Sequence, residues 1–361
     1  MSTVTTVSTR KLFTGKEWFH NCSLVIEDGQ IIEIAPLKGT PAHSILVPAF
    51  IDLQIYGAGG RLFSVYPELS SLELLYQECV KGGTHLFLPT VATNNPSVVS
   101  DCINAVKSYW DNGGKGCLGL HLEGPWLNPD KKGAHLAERM YSPTVHQVVA
   151  LLQEGRGVIK MITLAPECCS KEVIQLLLEN DIRISAGHSN ASYEQANEGF
   201  EQGIQLATHL FNAMPAFQHR SPGLVGAILN HSSVMASIIP DGYHVDWTVI
   251  EVAQKIMKDR LFVITDAVTE TDQGPYQHVL ATDRYEANGV LSGSALTMLK
   301  ACNNLINYAK LSKEEALRLC SFYPARAFGV DHRLGLLLPG YQAAYISLSE
   351  NEMGFTLNSY L

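Results

Sequence analysis

Eight short, nearly unbroken apolar runs, each followed by a helix-sized stretch, constrain this chain more than any other feature. The runs are VPAFIDLQIYG (47–57), HLFLPTVAT (85–93), CLGLHLEG (117–124), VIKMITLAPE (158–167), RISAGHS (183–189), LATHLFN (206–212), SVMASIIPDG (233–242) and LFVITDAV (261–268). Continuous rather than alternating apolar character predicts strands buried on both faces, as in a parallel sheet covered by helices. Between the runs, Ser192 with Gln195 and Ser312 with Glu315 have capping-box spacing. Segments 171–180 and 247–258 carry apolar residues at helical intervals. The pattern predicts an α/β protein built on a (β/α)8, TIM-like barrel. An open doubly wound sheet would also alternate strands and helices. It would call for a GxGxxG or Walker turn after an early strand, and neither is present. Gly57, Gly59 and Gly60 are spaced for a tight turn rather than a phosphate cradle.

The ends of the chain differ from its middle. Residues 1–46 hold short runs such as LVIEDG and IIEIAP, broken by Gly and Pro, and 331–361 returns to the same character. The expected organisation is therefore 1–46 as the first part of a small β-sandwich domain, 47–330 as the barrel, and 331–361 as the second part. Hydrophobic residues make up 46% of the 361-residue chain and charged ones 17%, which suits a large buried core. A net charge of −9 argues against nucleic acid as a partner. No run of about 18 apolar residues exists to span a membrane. The first residues show no leader-like apolar stretch, and the eight cysteines are scattered without a CxxC pair. A cytoplasmic protein with reduced thiols is the expectation.

Polar residues fall at the ends of the buried runs. Gln54, Glu123, His188, His209 with Asn212, and Asp266 close their strands, and the seventh run leads into Asp241 and His244. In a barrel these ends converge on one face, where barrel active sites lie. A carboxylate or imidazole buried there is costly unless paired or bound to a metal. Glu123, His188 and His209 have the chemistry of an open three-ligand site for one divalent ion. Zn²⁺ suits two imidazoles and one carboxylate, and Fe²⁺, Mn²⁺ or Co²⁺ fit the same donors. Asp266, one strand further round, is placed to accept and return a proton. His85 sits early in its strand, at the opposite end, and reads as structural. His43, His146, His231, His278 and His332 have no motif around them and read as surface or packing residues.

These residues lie in blocks that resemble a known family. HLEGPW (121–126), KGAH (132–135), AGHSNAS (186–192), THLFNAMPAF (208–217), RSPG (220–223), DGYHVD (241–246), ITDAV (264–268), LSGSALTM (291–298) and YPARAFG (323–329) resemble the N-acetylglucosamine-6-phosphate deacetylases of the amidohydrolase superfamily. The resemblance implies a barrel with a small β-domain, a homodimer, a sugar-phosphate substrate, and hydrolysis of its N-acetyl group. It implies Glu123, His188 and His209 as metal ligands, with Asp266 and His135 as catalytic groups. It also implies Ala134, His135, Asn212, Ala213, Arg220, His244, Leu291, Ser292 and Gly293 as substrate-binding positions. Arg220 is the expected phosphate contact, since a guanidinium offers two fixed donors to that group.

One departure bears on the metal. Most amidohydrolases open the barrel with His-x-His, which supports a second ion. Here the position reads Gln54-Ile55-Tyr56, so a single ion is expected. Three alternatives stay open: a deacetylase for the galacto epimer, another amidohydrolase, or a sugar-phosphate binder without activity.

Overall fold

The structure, a computed structural model, describes residues 2–359 except Asn288. Met1, Tyr360 and Leu361, at the far ends of the two expected β-domain segments, lie outside the described residues. Eight strands form one parallel sheet: Phe50–Ile55, Thr84–Ala92, Leu120–Glu123, Ile159–Leu164, Arg183–Ala186, Leu206–Ala207, Met235–Ile238 and Leu261–Val263. Each pairs with its neighbour in chain order. The eighth strand returns to the first beyond its regular end. Asp266 donates its backbone N–H to the Gln54 carbonyl at 3.0 Å, and Tyr56 donates to the Ala267 carbonyl at 2.9 Å. That closure makes a (β/α)8 barrel and sets Gln54, Tyr56 and Asp266 side by side.

The runs are continuous because both strand faces are covered. Leu53, Phe87, Leu120, Ile162 and Val263 are fully buried in one core with the helices. The helices start where their caps dictate. Ser192 accepts from the Gln195 backbone while the Gln195 side chain returns to Ser192, a reciprocal capping box over Tyr193–Glu201. Ser312 caps Lys313–Cys320 one way only, because the Glu315 carboxylate is drawn off to Arg318. The amphipathic segments become helices Lys171–Glu179 and Trp247–Met257. Gly57–Ala58 pairs back on Arg61–Leu62 around Gly59 and Gly60, both at positive φ, so the glycine-rich stretch is a tight hairpin.

The terminal segments meet in one six-stranded sheet. Gly354–Ser359, Tyr345–Asn351, His43–Pro48, Val4–Phe13, Trp18–Glu27 and Gln30–Pro36 lie in that order. Only the pairing of Val4–Phe13 with His43–Pro48 is parallel. This sheet has its own apolar cluster around Leu12, Leu24, Ile31 and Leu46. A second excursion matters more for function. Between the eighth strand and helix Met298–Asn307 the chain makes a small antiparallel sheet of Val279–Ala281, Arg284–Ala287 and Val290–Leu291.

Because Ile162 is fully buried mid-strand, Ile162→Ala is expected to lower unfolding free energy by about 2–5 kcal/mol. Urea unfolding measures this, and a loss under about 1 kcal/mol would mean the site repacks freely.

Candidate functional site

Glu123 ends the third strand with its side chain buried, and five groups converge on its two oxygens. Oε1 lies 3.2 Å from His188 Nε2, 3.1 Å from His209 Nε2, and 3.1 Å from the Gln54 amide nitrogen, which donates to it. The two imidazole nitrogens are 3.1 Å apart. Oε2 receives the Tyr56 hydroxyl in a short hydrogen bond and lies 2.9 Å from His135 Nε2. His188 and His209 follow their strands with φ of 46° and 36°, and Asp266 has φ of 54°. Three non-glycine residues in the left-handed region at one site mark backbone held there by its surroundings.

The donor chemistry tests what such a cluster can hold. His188 Nδ1 is 2.8 Å from the Lys131 carbonyl, an acceptor, so Nδ1 carries a proton. In a neutral His188 the bare Nε2 lone pair then faces the carboxylate oxygen, acceptor against acceptor. A cation between them removes the conflict. Three donor atoms 3.1–3.2 Å apart also match the spacing of about 3.4 Å between tetrahedral ligands at about 2.1 Å from zinc. Glu123, His188 and His209 therefore fit one divalent ion, and His135 forms an overlapping cluster with Glu123 and His188 on the other oxygen.

Electrostatics separate the two carboxylates. Burial alone would raise the Glu123 carboxyl, but His135 and His188 outweigh burial and hold it well below the usual range. Asp266 goes the other way. Burial, then the charges of Glu123 and Asp52, raise it well above an ordinary aspartate, although the Gln54 amide donates to Oδ1 at 2.7 Å. Burial also pushes the His135 and His209 imidazoles down, against the pull of Glu123. His135 Nδ1 accepts from the Thr93 backbone N–H at 3.3 Å, so Nε2 carries the proton shared with Glu123.

A cavity of about 200 Å³ opens onto this cluster. Glu123, Ala134, His135, His188, His209, Asn212, Ala213, His244, Asp266, Leu291, Ser292 and Gly293 all line it. Arg220 does not: it is exposed, beyond the exposed Phe217. His244 has Nδ1 2.6 Å from Asp241 Oδ2. Burial would raise Asp241, but the hydrogen bond and charge of His244 keep it below the usual range.

Several residues around the site have parts that a strand-end reading does not assign. Gln54 and Tyr56 look like poor metal ligands, and here they are donors that hold the carboxylates in place. Thr93 ends the second run and supports His135; its position at a strand end was the available signal. Tyr276 and His278 also line the cavity, which corrects the reading of His278 as surface or packing. They lie on the excursion after the eighth strand, where no strand periodicity points inward. His85 stays outside the cavity, as expected.

A barrel whose strand ends present buried carboxylates and imidazoles around one cation-sized gap defines a metal-assisted hydrolase of the amidohydrolase type. The chain belongs to the amidohydrolase family, whose model matches residues 45–357. It is 34% identical over 306 residues to the N-acetylglucosamine-6-phosphate deacetylase of Haemophilus influenzae, covering 82% of this chain and 80% of that one. It is 30% identical over 354 residues to the N-acetylgalactosamine-6-phosphate deacetylase of Escherichia coli O157:H7, covering 94% and 93%. Among solved structures, the N-acetylglucosamine-6-phosphate deacetylase of Pasteurella multocida superposes with a TM-score of 0.90 at 31% identity, covering 99% of both chains.

Asp52 lies beneath the site and accepts from the backbone N–H groups of Gln54 and Thr265, both at 3.2 Å. Burial raises its carboxyl from 3.8 to about 6, against those hydrogen bonds. A carboxyl raised on folding gives stability that is full below pH 4 and lost as pH rises through 6. The stability of Asp52→Asn relative to wild type should therefore increase by up to about 3 kcal/mol between pH 4 and 7. Urea unfolding at both pH values measures it, and a pH-independent difference would contradict the assignment.

Proposed function

We propose that this chain hydrolyses the N-acetyl group of N-acetylglucosamine 6-phosphate, releasing acetate and glucosamine 6-phosphate. The observation that carries the reading is the juxtaposition of Glu123, within 3.2 Å of the His188 and His209 imidazoles, with Asp266, linked to it through the Gln54 amide, on the wall of one cavity. Both epimeric deacetylases occur among the relatives. The gluco substrate is favoured because the N-acetylglucosamine-6-phosphate deacetylase of Mycobacterium smegmatis, solved in complex with that sugar phosphate, superposes with a TM-score of 0.88 over 98% of this chain at 25% identity.

Glu123, His188 and His209 would hold one divalent ion, zinc by donor preference. When bound, such an ion lowers the pKa of water toward about 7 and polarises a carbonyl. Gln54 and Tyr56 occupy the first-strand positions where a second ion would need imidazoles, and they donate to Glu123 instead. Asp266 accepts the proton of the attacking water. Its raised affinity for protons suits it to carry that proton at neutral pH. It then delivers the proton to the amine nitrogen, which leaves only once protonated. Gln54 keeps Asp266 Oδ1 oriented through this exchange. His135, fixed through Nδ1 by Thr93, offers its Nε2 proton to the acetyl oxygen in place of Glu123 Oε2. One such donor contributes about 3–4 kcal/mol to the transition state.

The phosphate is met by His244, whose Nδ1 is held by Asp241, with Asn212 and Ala213 on the same cavity wall. Phe211 and Ala213 have φ of 79° and 50°, and Ala213 lines the cavity. No Lys or Arg lines the cavity among the described residues. Arg220 is the cation we assign to the phosphate, brought in by movement of its exposed loop or by a second copy of the chain in a homodimer. Ala134, Leu291, Ser292 and Gly293 enclose the sugar. A cytoplasmic location fits an intermediate of amino-sugar breakdown, and no helix among the described residues is long and apolar enough to cross a membrane.

Asp266→Asn should cut acetate release at least about 10³-fold while bound metal per chain stays at the wild-type level. Near-wild-type turnover would remove Asp266 from the mechanism. Tyr56→Phe, which strips one donor from Glu123, should weaken metal binding about tenfold in equilibrium dialysis. Unchanged affinity would make that hydrogen bond incidental.

A further inference from the structure

The fourth strand, Ile159–Leu164, and the turn after it send no side chain into the cavity. Just past that strand, in the single-turn helix Pro166–Cys168, stands the half-buried carboxylate of Glu167. Its Oε1 accepts from the Asn190 backbone N–H at 2.6 Å and from the Asn128 side-chain amide at 3.0 Å. Its Oε2 accepts from the Ser189 hydroxyl at 2.7 Å. All three donors are uncharged, and hydrogen bonds to a carboxylate are about twice as strong as those between neutral groups.

The two segments so joined are those that carry His188. Ser189 and Asn190 follow it directly, and its own φ of 46° lies in the left-handed region, where a non-glycine residue is held by its surroundings. Asn128 grips it from the other side, donating its backbone N–H to the His188 carbonyl at 2.9 Å. Asn128 also builds the turn that meets the imidazole. Its side-chain oxygen accepts from the Asp130 N–H at 3.0 Å, and its carbonyl accepts from the Lys131 N–H at 2.9 Å. The Lys131 carbonyl at the end of that turn lies 2.8 Å from His188 Nδ1. One carboxylate therefore braces both the backbone of His188 and the group that fixes its tautomer. A metal-binding imidazole depends on such a partner for its orientation and basicity.

We propose that Glu167 is a positioning residue for metal binding: by tying Asn128 to Ser189 and Asn190, it holds His188 with Nε2 turned toward Glu123. This rests on the reading of Glu123, His188 and His209 as the metal ligands.

The test is the zinc affinity of the intact chain, measured by competition with a chromophoric chelator, for wild type, Glu167→Ala, Glu167→Gln and Asn128→Ala. Melting temperatures of the metal-free proteins are recorded alongside. Alanine at 167 removes all three bonds and should weaken zinc binding about tenfold. Glutamine keeps an oxygen at the Oε1 position for Asn128 and Asn190, and should return the affinity to within about threefold of wild type. Asn128→Ala should also weaken binding, and the double variant with Glu167→Ala should lose less than the product of the two single losses, since both act through one contact. A zinc affinity of Glu167→Ala within about twofold of wild type, even with a lower melting temperature, would assign the residue to stability alone and overturn the proposal. A glutamine variant as weak as the alanine one would overturn it too, because charge rather than the hydrogen bonds would then set the affinity. If Glu167→Ala does not fold, Asn128→Ala takes its place under the same twofold limit. If wild type itself binds no zinc, the ligand reading falls, and this proposal with it.

Discussion

Everything at the mouth of this barrel depends on one crowded oxygen. Glu123 Oε1 faces two imidazole nitrogens within 3.2 Å, and one of them, His188 Nε2, is turned toward it by a hydrogen bond on its far side. Buried acceptors do not approach one another without something positive between them. Burial also disfavours a proton on His209. The cluster is therefore built for a cation, and the surrounding residues keep it so. Gln54 and Tyr56 donate to the carboxylate, Thr93 fixes His135, and the Lys131 carbonyl fixes His188.

The same geometry divides labour between two acids. The imidazoles hold the Glu123 carboxyl low, and its charge is one of the reasons Asp266 binds a proton more readily than an ordinary aspartate. Gln54 spans both through one amide nitrogen. This glutamine comes from the first strand and reaches Asp266 only because the eighth strand closes onto it through Tyr56 and Ala267. Barrel closure is thus a condition for the chemistry as well as for the core.

How much of this was legible in the sequence follows from what periodicity can report. Glu123, His188, His209 and Asp266 each end an apolar run, so strand count and polarity alone put them on one face. The capping residues Ser192 and Gln195 likewise announce their helix. His278 was misread because it lies on an inserted strap whose path is set by long-range ties such as Tyr276 to Thr93, which no local pattern records. Arg220 sits in a matching motif yet stays exposed, since a motif fixes neighbours along the chain and not the pose of a loop. The bracing by Gln54 and Tyr56 was hidden for a further reason. Their residue types argue against ligation, and only the distances reveal that they donate instead.

The central claim is that Glu123, His188 and His209 together grip a single ion. Crystals of the purified protein grown with zinc, with diffraction recorded on both sides of the zinc absorption edge, test it most directly. The account predicts one anomalous peak per chain at this site, bonded to Glu123 and to Nε2 of both histidines at about 2.0–2.2 Å. Metal-free side chains turned away from one another, or a peak seated on Gln54 and Tyr56, would contradict it.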